Sequence, residues 1–248
     1  MKRLLEAELI KLRTTRTFAA LAGVAVAISL LITVLVAILT EPSKDEVLTD
    51  VFNSDVSGLF ILILAVLGLT GEWRHRTITS SLLAAPDRLR FLAAKTLAFA
   101  AAGVVLSLLI AVTVAIVGFA ILTIRDLPTP EFGEWIAQVG RNAIVAALWG
   151  ALGVGLGALV RNQAVAVVGV LVIIFVVDSA VTALVPDVGR YSPFSALPTA
   201  VAGLEPEDAG ISEEVDLLPG GVAALAMLAW IGALFSIGAA LLIRRDVE

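Results

Sequence analysis

Six apolar runs constrain what this chain can fold into: Phe18–Leu39, Val56–Gly71, Thr96–Ile124, Ala143–Val160, Ala164–Val185 and Val222–Ile243. A hydrocarbon core about 30 Å thick is crossed by about 20 residues of helix. The first run fits that length. The second is short, and either extends back through Val51 and Phe52 or sits where the bilayer thins. The third is long, so it tilts or projects. Of 248 residues, 59% are apolar and only 16% charged, with mean hydropathy +1.02; an ordinary soluble domain carries roughly a quarter charged residues. The expected fold is therefore an all-α integral membrane protein, one domain over residues 1–248 with spans at 18–39, 56–71, 96–124, 143–160, 164–185 and 222–243. Phe18–Leu39 exceeds a signal-peptide core and ends in no small-residue cleavage site, so it reads as a mature helix. Cysteine is absent, which excludes disulfides and thiolate metal sites.

Positive residues set the orientation. With both termini in the cytoplasm, thirteen of the seventeen Lys and Arg residues fall inside. They lie in residues 2–16, the 72–95 loop, the Arg161 turn and the Arg244–Arg245 tail. The outer loops are acidic, with Glu41, Asp45, Glu46 and Asp50 in the first and Glu205 to Asp216 in the last. A multi-pass protein of the plasma membrane is expected. Residues 1–16 read as an interfacial helix, because Leu5, Leu9 and Leu12 recur on one side while Lys2, Arg3, Lys11 and Arg13 can reach lipid phosphates. A plain topogenic flank is the alternative. The net charge of −5 and the lack of a basic, aromatic-interleaved stripe give no nucleic-acid signal.

The loop between the second and third runs holds the only histidine, His75, and five basic residues, Arg74, Arg76, Arg88, Arg90 and Lys95. Thr77 can cap a short helix carrying Ile78, Leu82 and Leu83. Pro86 stops it, and Asp87 is placed to start the next helix. The expected shape is a helix–break–helix elbow at the membrane surface. Glu72 is too costly to leave unpaired in lipid, so it should face protein or a nearby Arg.

Taken in order, Gly71-Glu72-Trp73-Arg74, then Thr77, Leu82, Leu83, Pro86, Arg88 and Arg90, then Leu92-Ala93-Ala94-Lys95, resemble the first cytoplasmic loop of permease subunits of type-2 ATP-binding-cassette exporters. The opening Glu8-Leu-Ile-Lys11-Leu-Arg13-Thr-Thr-Arg16 is similar to the surface helix of those subunits. The family usually has Gly where Arg76 stands, a frequent choice there rather than a chemical requirement. The resemblance implies a coupling helix at Thr77–Ala85 that docks on a separate ATPase subunit, with Glu72 linking it to the second span. The ATPase-coupling residues are then Glu72, Arg74, Thr77, Ile78, Leu82, Leu83, Pro86 and Arg88. It also implies a translocation pathway formed by two permease subunits, as a homodimer or a heterodimer. The residues agree on one point: no G-x-x-x-x-G-K-[ST] phosphate loop occurs, so ATP and magnesium belong on the partner and no cofactor is expected on this chain.

Three further features carry two readings each. Gly150, Gly153, Gly155 and Gly157 crowd the fourth span, either as a sliding or subunit contact or as tight packing on the fifth span across the Arg161–Gln163 turn. Asp178 is expected to be the only carboxylate well inside a span; it lines the pathway or holds a proton, or else pairs with Arg190 near the outer interface. Residues 191–204, apolar but broken by Pro193 and Pro198, are too short to span. They are expected to dip into the outer leaflet as one or two half-helices. In the family such a re-entrant element caps the pathway, which makes Asp178, Pro193, Phe194 and Pro198 candidate pathway or gate residues; the alternative is an interfacial anchor. A lone histidine and scattered carboxylates build neither a triad nor a metal centre, so no enzymatic activity is expected. Exporter permease and non-transporting scaffold, recruiting a partner through the same loop, are the two functions left.

Overall fold

The structure is a computed structural model that describes residues 2–44, 46–79 and 87–244. Within them the chain forms helices and loops and no strand: α1 Lys2–Thr14, α2 Arg16–Leu39, α3 Val47–Phe52, α4 Ser57–Arg74, α5 Arg88–Ile124, α6 Phe132–Leu159, α7 Gln163–Leu184, α8 Pro186–Gly189, α9 Ala196–Ala202 and α10 Gly220–Arg244. Six segments are long and apolar enough to cross a bilayer: α2, α3 with α4, α5, α6, α7 and α10. The protein is a multi-pass membrane protein.

Helix α6 is the hub, packed against α4, α5 and α10. Its glycines allow this. A Cβ on Gly150 would lie 2.5 Å from the Phe99 carbonyl oxygen of α5, one on Gly153 2.6 Å from the Leu62 carbonyl oxygen of α4, and one on Gly155 2.8 Å from Leu234 Cβ of α10. From the α5 side, a Cβ on Gly103 would lie 2.4 Å from the Ala146 carbonyl oxygen. The glycine face therefore packs on the second, third and sixth spans, and the expected contact with the fifth is not made by these residues. The short Arg161–Gln163 turn places α7 next in sequence, but α7 packs mainly on α4 and leaves Val165, Val168, Phe175 and Val176 exposed. Helix α6 also begins eleven residues before the apolar run expected at Ala143. Its polar first turns are accommodated inside, where Gln138 Nε2 donates to Asn142 Oδ1 at 3.0 Å and to the Ala202 carbonyl at 3.1 Å.

The second span does extend back through Val51 and Phe52, but as two helices separated by Asn53–Val56. Asp55 lies at the break. Its Oδ1 accepts from the Ser57 amide at 2.8 Å, and its Oδ2 accepts from the Ser107 hydroxyl of α5. Beside it, Thr33 of α2 and Ser54 share a hydrogen bond of 2.6 Å. Asp178 is thus not the only carboxylate within a span. A run that starts at Val56 left Asp55 outside, and its partners on α2 and α5 are remote in sequence.

Helix α5 is capped as expected, with Asp87 Oδ1 accepting from the Leu89 and Arg90 amides at 3.1 Å each. It continues unbroken for 37 residues, roughly 55 Å at 1.5 Å per residue, which exceeds the hydrocarbon core. Ahead of it, Arg76 has φ +56°. That is the left-handed region, costing a residue with a Cβ roughly 1–2 kcal/mol. Glycine at this position therefore answers a conformational demand, contrary to the expectation that it is only a frequent choice.

Toward the other end of α7, residues Ile173–Asp178 form a π-turn. Asp178 accepts a hydrogen bond from the Ser192 hydroxyl, and Ser192 Oγ in turn accepts from the Phe194 amide at 3.0 Å and the Ser195 amide at 3.3 Å. Arg190 pairs instead with Asp216, at 3.2 Å, so the expected alternative of an Asp178–Arg190 pair is not realised. Within 191–204 there is one helix, α9, which packs on α6 and α10; Leu197 is fully buried in the main core and Ala196 fully buried with Ile211 and Val215.

Candidate functional site

The chemistry of this chain concentrates where α1, α4 and α5 meet. Helix α1 is amphipathic, yet Glu8 falls on its apolar side, three positions after Leu5 and four before Leu12. That side packs on α5, so Glu8 is carried inside. The last turn of α4 brings Glu72, and the second turn of α5 brings Lys95. Lys95 Nζ donates to Glu8 Oε2 at 2.7 Å and to Glu72 Oε1 at 2.9 Å. A third, longer contact reaches the Gly68 carbonyl at 3.5 Å. Lys11 closes the ring, with Nζ 2.7 Å from Glu8 Oε1 and 3.2 Å from Glu72 Oε1. The side chains of Lys95, Glu8 and Glu72 are 2, 7 and 8% exposed, while that of Lys11 is 49% exposed.

Two carboxylates and two ammonium groups balance, which is what allows burial: isolated, each ion would cost several kcal/mol. On α1, burial pushes the Glu8 carboxyl up, but Lys95 and Lys11 outweigh it and hold the group below the ordinary carboxylate value. Burial likewise depresses Lys11, and Glu8 and Glu72 more than offset it, raising the ammonium above the ordinary lysine value. Glu72 Oε2 is buried and has no hydrogen-bond partner among the described residues.

The ring opens onto a cleft of about 560 Å³. One end is polar, with Lys11, Glu72, His75 and Gln163; the walls are apolar, with Phe18, Leu64, Leu67 and Phe99. Around it, Arg74 donates to Gln163 Oε1 at 3.1 Å and Arg161 stacks on Trp73 at 4.8 Å, tying α4 to the turn before α7.

No protein-family model matches the chain, and no curated protein is significantly similar to it. The resemblance to exporter permeases rests on the quoted residues alone.

Of the residues expected to couple to an ATPase, Glu72 sits in the ionic ring and faces protein, the first of its two expected surroundings, with Lys11 and Lys95 as its partners in place of an Arg. The Thr77 amide donates to the Glu72 carbonyl at 2.9 Å. Ile78 is buried in the main core at 3% exposure, and Arg88 donates to the Leu242 carbonyl of α10. Leu82, Leu83 and Pro86, and the Thr77–Ala85 helix beyond Thr79, lie outside the described residues. Asp178, Pro193 and Pro198 are buried and Phe194 half-buried; Ser192 links Asp178 to the Phe194 amide, and none of the four belongs to the ring. Among the described residues no three acidic or histidine side chains are grouped to hold a metal. Sequence reasoning named Glu8, Lys11 and Lys95 but did not join them. The signal was available in Glu8, a carboxylate on an apolar helix side.

Proposed function

We propose that this chain is the membrane-spanning permease subunit of an ATP-driven exporter, coupled to a separate ATP-binding-cassette ATPase through residues 72–95. One observation carries the reading. The Glu8–Lys95–Glu72–Lys11 ring joins the end of α4 and the start of α5, the helices on either side of that loop, to the amphipathic α1. A push on the loop then moves the second and third spans and the surface helix as one body, because separating them uncovers buried charge. In this reading α1 lies on the cytoplasmic face, Thr77–Ala85 is the docking helix and residues 191–204 re-enter the outer leaflet. Two copies, or two related subunits, enclose the pathway.

The test is affinity purification from native membranes, with co-purifying ATPases identified by mass spectrometry. An ATP-binding-cassette ATPase is expected with the wild type and with Leu82→Ile, and not with Leu82→Asp. Absence of any such ATPase from the wild type, or ATP hydrolysis by the purified chain alone, overturns the proposal. Retained ATPase binding with no transport in any variant favours the scaffold.

A further inference from the structure

The cleft beside the ionic ring has the chemistry of a lipid site. Its volume, about 560 Å³, falls within the roughly 300–1,000 Å³ usual for small-molecule pockets. Its composition is graded, from Phe18, Leu64, Leu67 and Phe99 on the walls to Lys11, Glu72, His75 and Gln163 at the polar end. It is formed by membrane-spanning helices and the helix that flanks them, so an acyl chain can lie along the walls while a headgroup reaches the ring.

The ring specifies the headgroup. Glu72 is 7% exposed, and its Oε2 has no hydrogen-bond partner among the described residues. A buried carboxylate oxygen in that state calls for an N–H or O–H donor. Lys11 offers the complement. An ammonium has three N–H donors; two are used on Glu8 and Glu72, and the side chain is half-exposed at 49%. Lys95, by contrast, makes three contacts and is shut off from solvent. Among the described residues an unmet acceptor and a spare cationic donor thus belong to one ion pair, in which Lys11 Nζ lies 3.2 Å from the other Glu72 oxygen, Oε1. The ring has no net charge, so it favours a neutral zwitterion over an anionic headgroup. A quaternary ammonium carries no N–H and leaves Glu72 Oε2 unmet.

We propose that this cleft binds a phospholipid with a primary ammonium headgroup, of the phosphatidylethanolamine class, drawn from the leaflet at the α1 end. The ammonium donates to Glu72 Oε2 and the phosphate accepts from Lys11 Nζ. The inference goes beyond the exporter reading and does not need it, since binding is measured on the chain without an ATPase.

The delipidated, purified full chain is titrated with short-chain phosphatidylethanolamine, phosphatidylcholine and phosphatidylglycerol, and bound lipid is counted by native mass spectrometry. Saturable binding of the ethanolamine lipid about tenfold or more tighter than either of the others is expected, the scale of one charge-assisted hydrogen bond. Glu72→Gln should erase that preference. Gly71→Leu is the second variant: Gly71 lines the cleft, and a Cβ there meets nothing within 4 Å, so it fills the site without crowding the helices. Equal binding of the three lipids, preference for the anionic one, or wild-type affinity in Gly71→Leu overturns the proposal.

Discussion

Lys95 Nζ lies 2.7 Å from Glu8 Oε2 across 87 residues of chain, and the two side chains are 2 and 7% exposed. This pair pins α1 to α5. Removing one member of a buried pair leaves the other charge uncompensated, at a cost of about 3–5 kcal/mol. Lys95→Met is therefore expected to lose about that much stability in detergent unfolding, and Glu8→Gln added to Lys95→Met to recover part of it. Additive losses would show that the two groups are not coupled.

Acid and alkali should strip the ring from opposite sides. The Glu8 carboxyl, held below the ordinary value of 4.5, contributes stability that is complete above that value and lost as the pH falls through the lower folded value. The Lys11 ammonium, raised above 10.5, contributes stability that is complete below that value and lost as the pH rises through the higher folded value. Melting temperature against pH should thus fall less on the acid side in Glu8→Gln than in the wild type, and less on the alkaline side in Lys11→Met. Parallel curves would contradict the assignment.

The glycines of α5 and α7 are of two kinds. Gly103→Ala sets a methyl 2.4 Å from the Ala146 carbonyl oxygen, whereas Gly169→Ala meets nothing within 4 Å. The first is expected to destabilise by about 1–3 kcal/mol as the helices are forced apart. The second should be neutral or slightly stabilising. Thermal unfolding of the two purified variants decides it.

Arg76→Gly relieves the backbone at φ +56°. A gain of about 1 kcal/mol is expected, reduced by the greater freedom of glycine in the unfolded chain. A loss of stability on chemical unfolding would mean that the Arg76 side chain makes a contact worth more than the strain.

Ser192→Ala removes the hydroxyl between Asp178 and the Phe194 and Ser195 amides. Leaving a buried acceptor unmet costs about 1–3 kcal/mol. Faster amide exchange confined to the stretch before α9 is the expected signature, with α6 unchanged.

Hydropathy alone was enough to decide that this is a multi-pass helical protein with six candidate crossings, because a lipid-facing helix must be apolar over its whole crossing length whatever it packs against. Asp87 as the start of α5 was equally legible, since an N-cap bonds to amides two and three residues on. Other features depended on residues far apart in the chain. That Glu72 must face a partner was legible; its partners come from α1 and α5, so only the packing of those helices reveals that they are Lys11 and Lys95. The glycines of α6 have a spacing that many neighbours could use, and tertiary contact chose α4, α5 and α10 over the adjacent α7. The break at Asn53–Val56 was hidden for the same reason: Asp55 is stabilised by a serine 52 positions away, and no local pattern encodes a hydrogen bond made across the bundle.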